Sequence, residues 1–202
     1  APLIGINWQH THCASLDHIS SQSWEAGMGR YAKYAETNGL IEASPTAIYE
    51  FLDDQSNLSA HMRQSSGMML GSSMDIHMEP DHARRVGSRF GFTGRILGIP
   101  LSVEEVVTGR EPPISKTWET TAEPRLWVIG RYMMGFELAP TAEAGTILRV
   151  YIRYDLPAGG FTRLLGRVFG GIYAAWCTRQ MVVDAQKHFD RQPVKPLKAT
   201  HS

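Results

Sequence analysis

The sequence predicts an α+β protein in which a seven-stranded antiparallel sheet is covered by one long C-terminal helix, with two short helices after the first strand. Two observations lead to this prediction. The stretch Gly160–Asp190 lies between Pro157 and Pro193, contains no proline, and has room for a helix of about 30 residues, against a mean near 12. Before it, several stretches alternate apolar and polar residues with a period of two, which is typical of strands with one buried face.

Composition and charge limit the class of protein. The 202 residues are 43% hydrophobic and 20% charged, as expected for one globular domain. Lys+Arg and Asp+Glu both number 20, so nothing suggests the basic face that nucleic-acid binding requires. Cys13 and Cys177 form no CxxC pair, which favours a reducing compartment, and we expect a cytoplasmic location. No transmembrane segment or signal peptide is predicted, and the oligomeric state stays open.

Residues 1–28 have no clear period and are interpreted as an N-terminal extension, ahead of a domain at 29–192 and a tail at 193–202. The extension contains a cluster of potential metal ligands: His10, His12, Cys13 and His18. Their spacing matches no established zinc pattern, so no metal is predicted. No glycine-rich phosphate loop is present either, and the sequence calls for no cofactor.

The first strand and the two short helices have local signals. Tyr31–Glu42 reads as a strand, with Asn38-Gly39 as a bulge or bend. Ser44 is a helix N-cap before a proline at the first helical position, and the helix is expected to end at Asp53-Asp54. Ser56–Met62 is compatible with a second short helix.

Six further strands are predicted, and their alternation assigns each residue to a face of the sheet. Met74, Ile76 and Met78 are expected to face inward, so that Asp75, His77 and Glu79 face solvent. The same parity places Val86, Phe90 and Phe92 inward. The six stretches are Met68–Glu79, Arg84–Thr93, Leu101–Thr108, Ile114–Thr121, Leu126–Leu138 and Gly145–Tyr154.

The long helix has an apolar stripe that we expect to lie on the sheet. At about 100° per residue the stripe contains Phe161, Leu164, Leu165, Val168, Phe169, Ile172, Ala175, Trp176, Val182, Val183 and Phe189. Arg179 and Gln186 interrupt it. A buried guanidinium needs a partner, so Arg179 either pairs with an inward carboxylate such as Glu105, which we favour, or binds a ligand.

The order of elements resembles the START-like superfamily, also called the SRPBCC or polyketide cyclase/dehydrase proteins. The resemblance covers about residues 30–190 and is carried by Ile41–Asp54, Val128–Leu138, Gly145–Val150 and the closing helix. It implies the helix-grip fold, in which a curved sheet wraps round the long helix, and a deep pocket for an apolar or amphipathic ligand. The superfamily has no universal catalytic signature, so the resemblance names neither a ligand nor a reaction.

If the helix grips the sheet, inward side chains line the pocket, although for any one of them packing in a filled core is the more common role. The candidate ligand-binding residues are Met68, Met74, Phe90, Phe92, Trp118, Tyr132, Met134, Phe136, Tyr154, Leu165, Phe169 and Ile172. The candidates for proton transfer or polar recognition are Tyr132, Tyr154, Arg179 and His61. Cys177 has no histidine at helical spacing and is not expected to be a nucleophile.

Three functions remain open at this point. The first is binding, with or without transport, of a hydrophobic small molecule or lipid. The second is an enzyme of the cyclase/aromatase or dehydratase kind, which a pair of inward polar groups converging on the pocket would favour. The third is an interaction protein similar to coenzyme Q-binding proteins, which a filled interior and a broad exposed apolar patch would favour.

Overall fold

The structure is a computed structural model and describes residues 30–59, 74–96, 98–142 and 144–191. Its helices and strands lie in one compact unit, Ala32–Ser202. In chain order they are β1 (Lys33–Ile41), α1 (Pro45–Asp53), α2 (Gln55–Leu58), β2 (Met74–Met78), β3 (Arg89–Ile96), β4 (Ile99–Glu111), β5 (Ser115–Thr120), β6 (Tyr132–Pro140), β7 (Thr146–Tyr154) and α3 (Gly160–Asp190). The predicted seven-stranded antiparallel sheet, the two short helices and the long C-terminal helix are confirmed.

Among the described residues the strand order is β1-β7-β6-β5-β4-β3-β2. Each strand from β2 to β7 pairs with the next along the chain, as expected for strands joined by short connections. β1 then pairs with the last strand, from Lys33 opposite Tyr154 to Ile41 opposite Thr146. The edges of the sheet are therefore β1 and β2, and α3 packs against the β1 edge.

The start of α1 follows the local signal in the sequence. The Ser44 hydroxyl accepts a hydrogen bond from the Ala47 amide at 3.3 Å, and Pro45 occupies the first turn. Ile48 and Leu52 are buried against the sheet. α2 begins at an Asp54 cap, and the remainder of the predicted second helix, from residue 60 onward, lies outside the described residues.

The two faces of the sheet are as the alternation predicts. Inward residues of β3, β5, β6 and β7 are buried, namely Phe90, Phe92, Trp118, Tyr132, Met134, Phe136, Leu138, Leu148, Val150, Ile152 and Tyr154. Asp75, His77 and Glu79 are exposed. The period-two pattern therefore located the core of the sheet correctly.

Two predicted strands begin too early. β3 starts at Arg89 and not at Arg84, because residues 80–87 form turns in which Gly87 has a φ of +90°. Val86 is therefore exposed, although the period-two alternation placed it on the inner face. β6 starts at Tyr132 and not at Leu126. The segment before Tyr132 lies beside the residues that follow β7 instead, and there the Gly130 amide donates to the Asp155 carbonyl at 2.9 Å.

The predicted bulge at Asn38-Gly39 is wrong, since β1 keeps an unbroken register with β7. Gly39 has a packing role. A Cβ at this position would collide with Val182 Cγ1 and lie 3.0 Å from Gln186 Nε2 of α3. Glycine therefore lets α3 lie directly on β1.

The C-terminal half of α3 is fixed to β1 by packing and by polar contacts. Val182 and Ala185 are buried there. The hydroxyls of Thr37 and Thr178 are 2.8 Å apart, and Gln186 Nε2 donates to the Leu40 carbonyl at 3.1 Å. In this half of the helix the predicted apolar stripe does contact the sheet, through Val182.

The N-terminal half of α3 is oriented the opposite way to the prediction. Its buried residues are small ones such as Gly166, Gly170 and Ala174, while five residues of the stripe are 49–67% exposed: Phe161, Leu164, Val168, Phe169 and Ile172. The reason is a close backbone approach. A Cβ at Gly166 or Gly170 would lie 2.9 or 2.8 Å from the Val128 carbonyl oxygen, so only glycine allows this spacing.

Candidate functional site

A partly open cavity of about 50 Å³ lies between the inner face of the sheet, α2 and α3. Most of its wall is apolar and is formed by Phe92, Val103, Leu126, Ile129, Met134, Ile152 and Met181. The remaining lining residues carry polar groups: Gln55, Ser59, Glu105, Trp118, Tyr132, Tyr173 and Cys177. A few polar groups on an apolar wall is the usual composition of a small-molecule site.

Glu105 is the most unusual residue of the cavity, since it is a carboxyl group with 2% exposure. It lies on β4 between Val103 and Val107, at an inward position of the strand. Burial raises the pKa of Glu105 to about 8, and it outweighs the Tyr132 hydroxyl and the Trp118 indole N–H, hydrogen-bond donors that favour the charged form. The carboxyl is therefore neutral at neutral pH and carries one O–H donor.

Gln55 is the second unusual residue of the cavity. It is buried at the start of α2, and its side-chain Oε1 has no hydrogen-bond partner among the described residues. A buried acceptor without a partner costs about 1–3 kcal/mol, so such atoms are rare in folded proteins. The cavity thus contains an acceptor that a bound molecule with a donor could satisfy.

Tyr173 and Cys177 contribute a second polar pair, one turn apart on α3. The Tyr173 hydroxyl donates to the Cys177 sulfur, and burial raises the pKa of Tyr173 well above its usual value. Burial also raises the pKa of the Cys177 thiol to about 12. The cysteine stays protonated at neutral pH, so it is a poor nucleophile, as the sequence indicated.

The structure places the sequence candidates in four groups. Phe92, Trp118, Tyr132 and Met134 line the cavity. Phe90, Phe136 and Tyr154 are buried in the core but do not line it. Tyr154 is the register partner of Tyr132, yet its hydroxyl lies near Gly170 and Gly171 of α3. Met68, His61 and the side chain of Met74 lie outside the described residues, as does the His/Cys cluster of residues 10–18.

The fourth group consists of α3 residues whose expected orientation was wrong. Phe169 and Ile172 are exposed and Leu165 is only half-buried, because the glycine face of the helix lies on the sheet. Arg179 is exposed as well, so it is not a buried guanidinium and does not pair with Glu105. The partners of Glu105 are Tyr132 and Trp118 instead.

Several lining residues were missed by the sequence analysis, chiefly Gln55, Tyr173 and Met181. The helix residues were missed because the helix was rotated in the prediction. A signal for Glu105 did exist, since a glutamate stands at an inward position of a strand between two valines. It was considered only as a partner for Arg179.

A separate buried ionic cluster lies where α1 meets β4 and β5. Lys116 is fully buried, and its Nζ donates to the Asp53 carbonyl at 2.6 Å and lies 3.4 Å from Asp53 Oδ1. Arg110 binds the same carboxylate with its Nη2 2.6 Å from Oδ2. Burial lowers the pKa of Lys116 to about 8. None of these residues lines the cavity, and the cluster anchors the C-terminal end of α1 to the sheet.

The fold and cavity together define the class: this is a helix-grip protein with the START-like fold. Comparison with solved structures leads to the same class. Norcoclaurine synthase from Thalictrum flavum superposes with a TM-score of 0.57 at 13% identity, over 95% of this chain and 99% of that chain. TTHA0849 from Thermus thermophilus superposes with a TM-score of 0.57 at 14% identity, over 78% of this chain and 97% of that chain. The ginseng major latex-like protein 151 from Panax ginseng superposes with a TM-score of 0.51 at 11% identity, over 78% of this chain and 97% of that chain.

No family model and no curated protein matches the sequence. At these identities the likeness to the solved structures shows the fold alone. Within the described residues, no helix is both long and apolar enough to cross a membrane. In the same part of the chain, no group of three or more His, Cys, Asp and Glu side chains could hold a metal ion.

Proposed function

We propose that the protein binds a hydrophobic small molecule that carries a hydroxyl or carbonyl group, in the cavity between the sheet and α3. The observation that carries the proposal is Gln55 Oε1, which has no hydrogen-bond partner among the residues that the structure describes, in a cavity whose wall is otherwise largely apolar. The resemblance to the START-like superfamily supports the proposal, because it implies a pocket for an apolar or amphipathic ligand. A hydroxyl of the bound molecule would give Gln55 the donor that it lacks.

Glu105 supplies the complementary donor. Because its carboxyl is neutral at neutral pH, it offers an O–H to an oxygen of the bound molecule while Tyr132 and Trp118 hold the group in place. A neutral donor in a dry wall binds a carbonyl or hydroxyl oxygen without the desolvation cost of a charge. The polar groups therefore select for oxygen on an apolar ligand.

The cavity is smaller than the 300–1,000 Å³ typical of sites for drug-sized ligands. Two of the side chains in its wall are methionines, Met134 and Met181, and an unbranched thioether can change rotamer to accommodate irregular shapes. Ligand binding on this proposal is accompanied by movement of these two side chains. Small aromatic compounds are accordingly the right first probes.

The test uses three aromatic compounds of nearly equal size: ethylbenzene, acetophenone and phenylethanol. The first has no polar group, the second has an acceptor, and the third has both a donor and an acceptor. Isothermal titration calorimetry should show affinity rising in that order, by about fivefold for each added hydrogen bond of about 1 kcal/mol. Glu105→Leu should abolish the advantage of acetophenone over ethylbenzene. Gln55→Leu should abolish the advantage of phenylethanol over acetophenone.

Glu104→Leu is the matched control, since Glu104 is the exposed neighbour of Glu105 on the same strand and should leave the order unchanged. Thermal unfolding of each variant establishes that it is folded. Equal affinity for the three compounds, or no binding by folded wild-type protein, would contradict the proposal.

A second candidate is an acid–base enzyme, and one observation favours it. Four ionisable groups converge on the cavity: Glu105, Tyr132, Tyr173 and Cys177. The Tyr132 hydroxyl would polarise a carbonyl, and the ionised fraction of Glu105, which grows as the pH approaches 8, would take the proton from the adjacent carbon. Exchange of the acetophenone methyl protons in heavy water, followed by NMR, tests this. Wild-type protein should accelerate exchange and Glu105→Gln should reduce the acceleration by about a hundredfold. Exchange no faster than in buffer would contradict catalysis.

A further inference from the structure

The outer face of α3, on the side opposite the sheet, is a continuous apolar surface. It is formed by Phe161, Leu164, Val168, Phe169 and Ile172, which follow one another at spacings of three or four residues except for the adjacent Val168 and Phe169. They cover about 17 Å of helix, since each residue adds 1.5 Å. Monomeric soluble proteins rarely expose contiguous apolar patches of this kind without a partner.

The charged side chains of α3 before Asp184 are all positive. Between Asp155 and Asp184 the sequence contains Arg163, Arg167 and Arg179 and no acidic residue. All three arginines are exposed. No salt bridge of these arginines with an acidic side chain occurs in the part of the chain that the structure describes. At 100° per residue, Arg167 lies at one edge of the apolar face and Arg179 lies in line with it, about two turns beyond Ile172, whereas Arg163 projects from the opposite side of the helix. Among the described residues, Arg167 and Arg179 therefore place positive charge beside the apolar face.

A second exposed site with an aromatic and a basic residue lies at the start of the helix. A surface groove joins Glu123–Trp127 to Pro157, Gly159 and Thr162 at the beginning of α3. Within that segment Trp127 is 37% exposed and Arg125 is exposed, and Glu123 is the one acidic residue of the groove. Tryptophan and arginine are both favoured at the boundary between lipid and water.

From this combination we infer that the outer face of α3 docks on the surface of an anionic lipid membrane. Large apolar residues would enter the boundary between headgroups and acyl chains, and the flanking arginines would bind anionic headgroups. The helix would lie along the membrane and not across it. A second copy of the chain is a less suitable partner, because pairing two of these faces would bring arginines of like charge together without acidic partners.

Co-sedimentation with vesicles tests the inference. Purified full-length protein should bind vesicles of equal parts phosphatidylcholine and phosphatidylserine, and bind phosphatidylcholine vesicles more weakly. Arg167→Glu combined with Arg179→Glu should weaken binding to the anionic vesicles by at least about 25-fold, since each arginine near the surface accounts for about fivefold. Val168→Asp should weaken it by about tenfold or more.

Two control variants match these changes in charge and exposure. Val86→Asp replaces a valine that is 60% exposed, against 56% for Val168, in the turn before β3. Arg89→Glu combined with Arg95→Glu makes the same charge change on exposed residues of β3, at the other side of the sheet from β1. Both control proteins should bind vesicles as the wild type does.

Three results would overturn the inference. The first is absence of wild-type binding to the anionic vesicles. The second is equal loss of binding in the test and control variants, since charge alone would then explain it. The third is a dimer in lipid-free solution that Val168→Asp converts to a monomer, measured by sedimentation velocity, because the face would then be a self-association interface. The cavity titration is a separate measurement, so failure here leaves the ligand-binding proposal standing.

Discussion

The Tyr132 hydroxyl and the Trp118 indole N–H are hydrogen-bond donors beside the Glu105 carboxyl in the cavity, and both favour its charged form. The three residues come from β6, β4 and β5, which are neighbouring strands. Two donors favour the ionised carboxyl, yet complete burial outweighs them and the pKa of Glu105 is about 8. The site therefore holds a neutral acid under ordinary conditions.

The raised pKa of Glu105 makes stability depend on pH. In the unfolded chain the carboxyl ionises near 4.5, whereas in the folded protein it stays protonated to about 8. The folded state binds more protons between these values, so stability is greatest below pH 4.5 for this group and falls as pH rises through the window. The expected loss is roughly 3 to 5 kcal/mol.

Urea unfolding at several pH values measures this loss. Glu105→Gln should remove most of the slope, and Glu104→Gln, an exposed neighbour, should keep it. The same slope in wild type and Glu105→Gln would mean that Glu105 is ionised in the folded protein.

Met181 restricts the cavity, and shortening it should reveal the site. Met181 is buried in α3 and lines the cavity wall. Met181→Ala should cost about 2–5 kcal/mol of unfolding free energy, because a void replaces the side chain. The same variant should bind ethylbenzene about tenfold more tightly, since the void accepts the ring.

Denaturant titration and calorimetry measure the two effects on one sample. Met133→Ala, on the opposite face of β6, should leave ethylbenzene affinity unchanged. A destabilised Met181→Ala protein with wild-type affinity would place the ligand elsewhere.

Asp53 is the common partner of Lys116 and Arg110. Asp53→Asn removes the negative charge and leaves a buried ammonium without compensation, so we expect a loss of about 3–5 kcal/mol. Glu50→Gln changes an exposed carboxylate on the same helix and should stay within about 0.5 kcal/mol. Both values come from urea unfolding at neutral pH. Losses of similar size in the two variants would show that the cluster does not anchor α1.

Gly39 sets the distance between β1 and α3. Gly39→Ala places a methyl group against Val182 and Gln186, so we expect a loss of about 1–3 kcal/mol. Gly160→Ala is the matched control, since a Cβ at the start of α3 meets no atom within 4 Å. It should be neutral or stabilising by up to about 1 kcal/mol. Thermal unfolding ranks the two variants, and a stable Gly39→Ala protein would mean that Val182 moves aside freely.

The sequence alone determined the features that local chemistry controls. Ser44 and Pro45 set the start of α1 because a cap and a fixed φ act within one turn. Alternation along the strands assigned Phe92, Trp118, Tyr132 and Met134 to the inner face, and all four line the cavity. The bounds of α3 were also readable, because no proline interrupts Gly160–Asp190.

Only the tertiary structure decided which face of α3 meets the sheet. Helical periodicity tells which residues share a face of the helix, but not which face packs on the sheet. The face of Gly166 and Gly170 packs there, because the backbone of α3 comes too close to the Val128 backbone for a larger side chain. That choice exposes Phe169 and brings Tyr173, Cys177 and Met181 to the cavity. The partners of Glu105 were likewise beyond the sequence, because hydrogen bonds between three strands depend on how the strands are placed side by side.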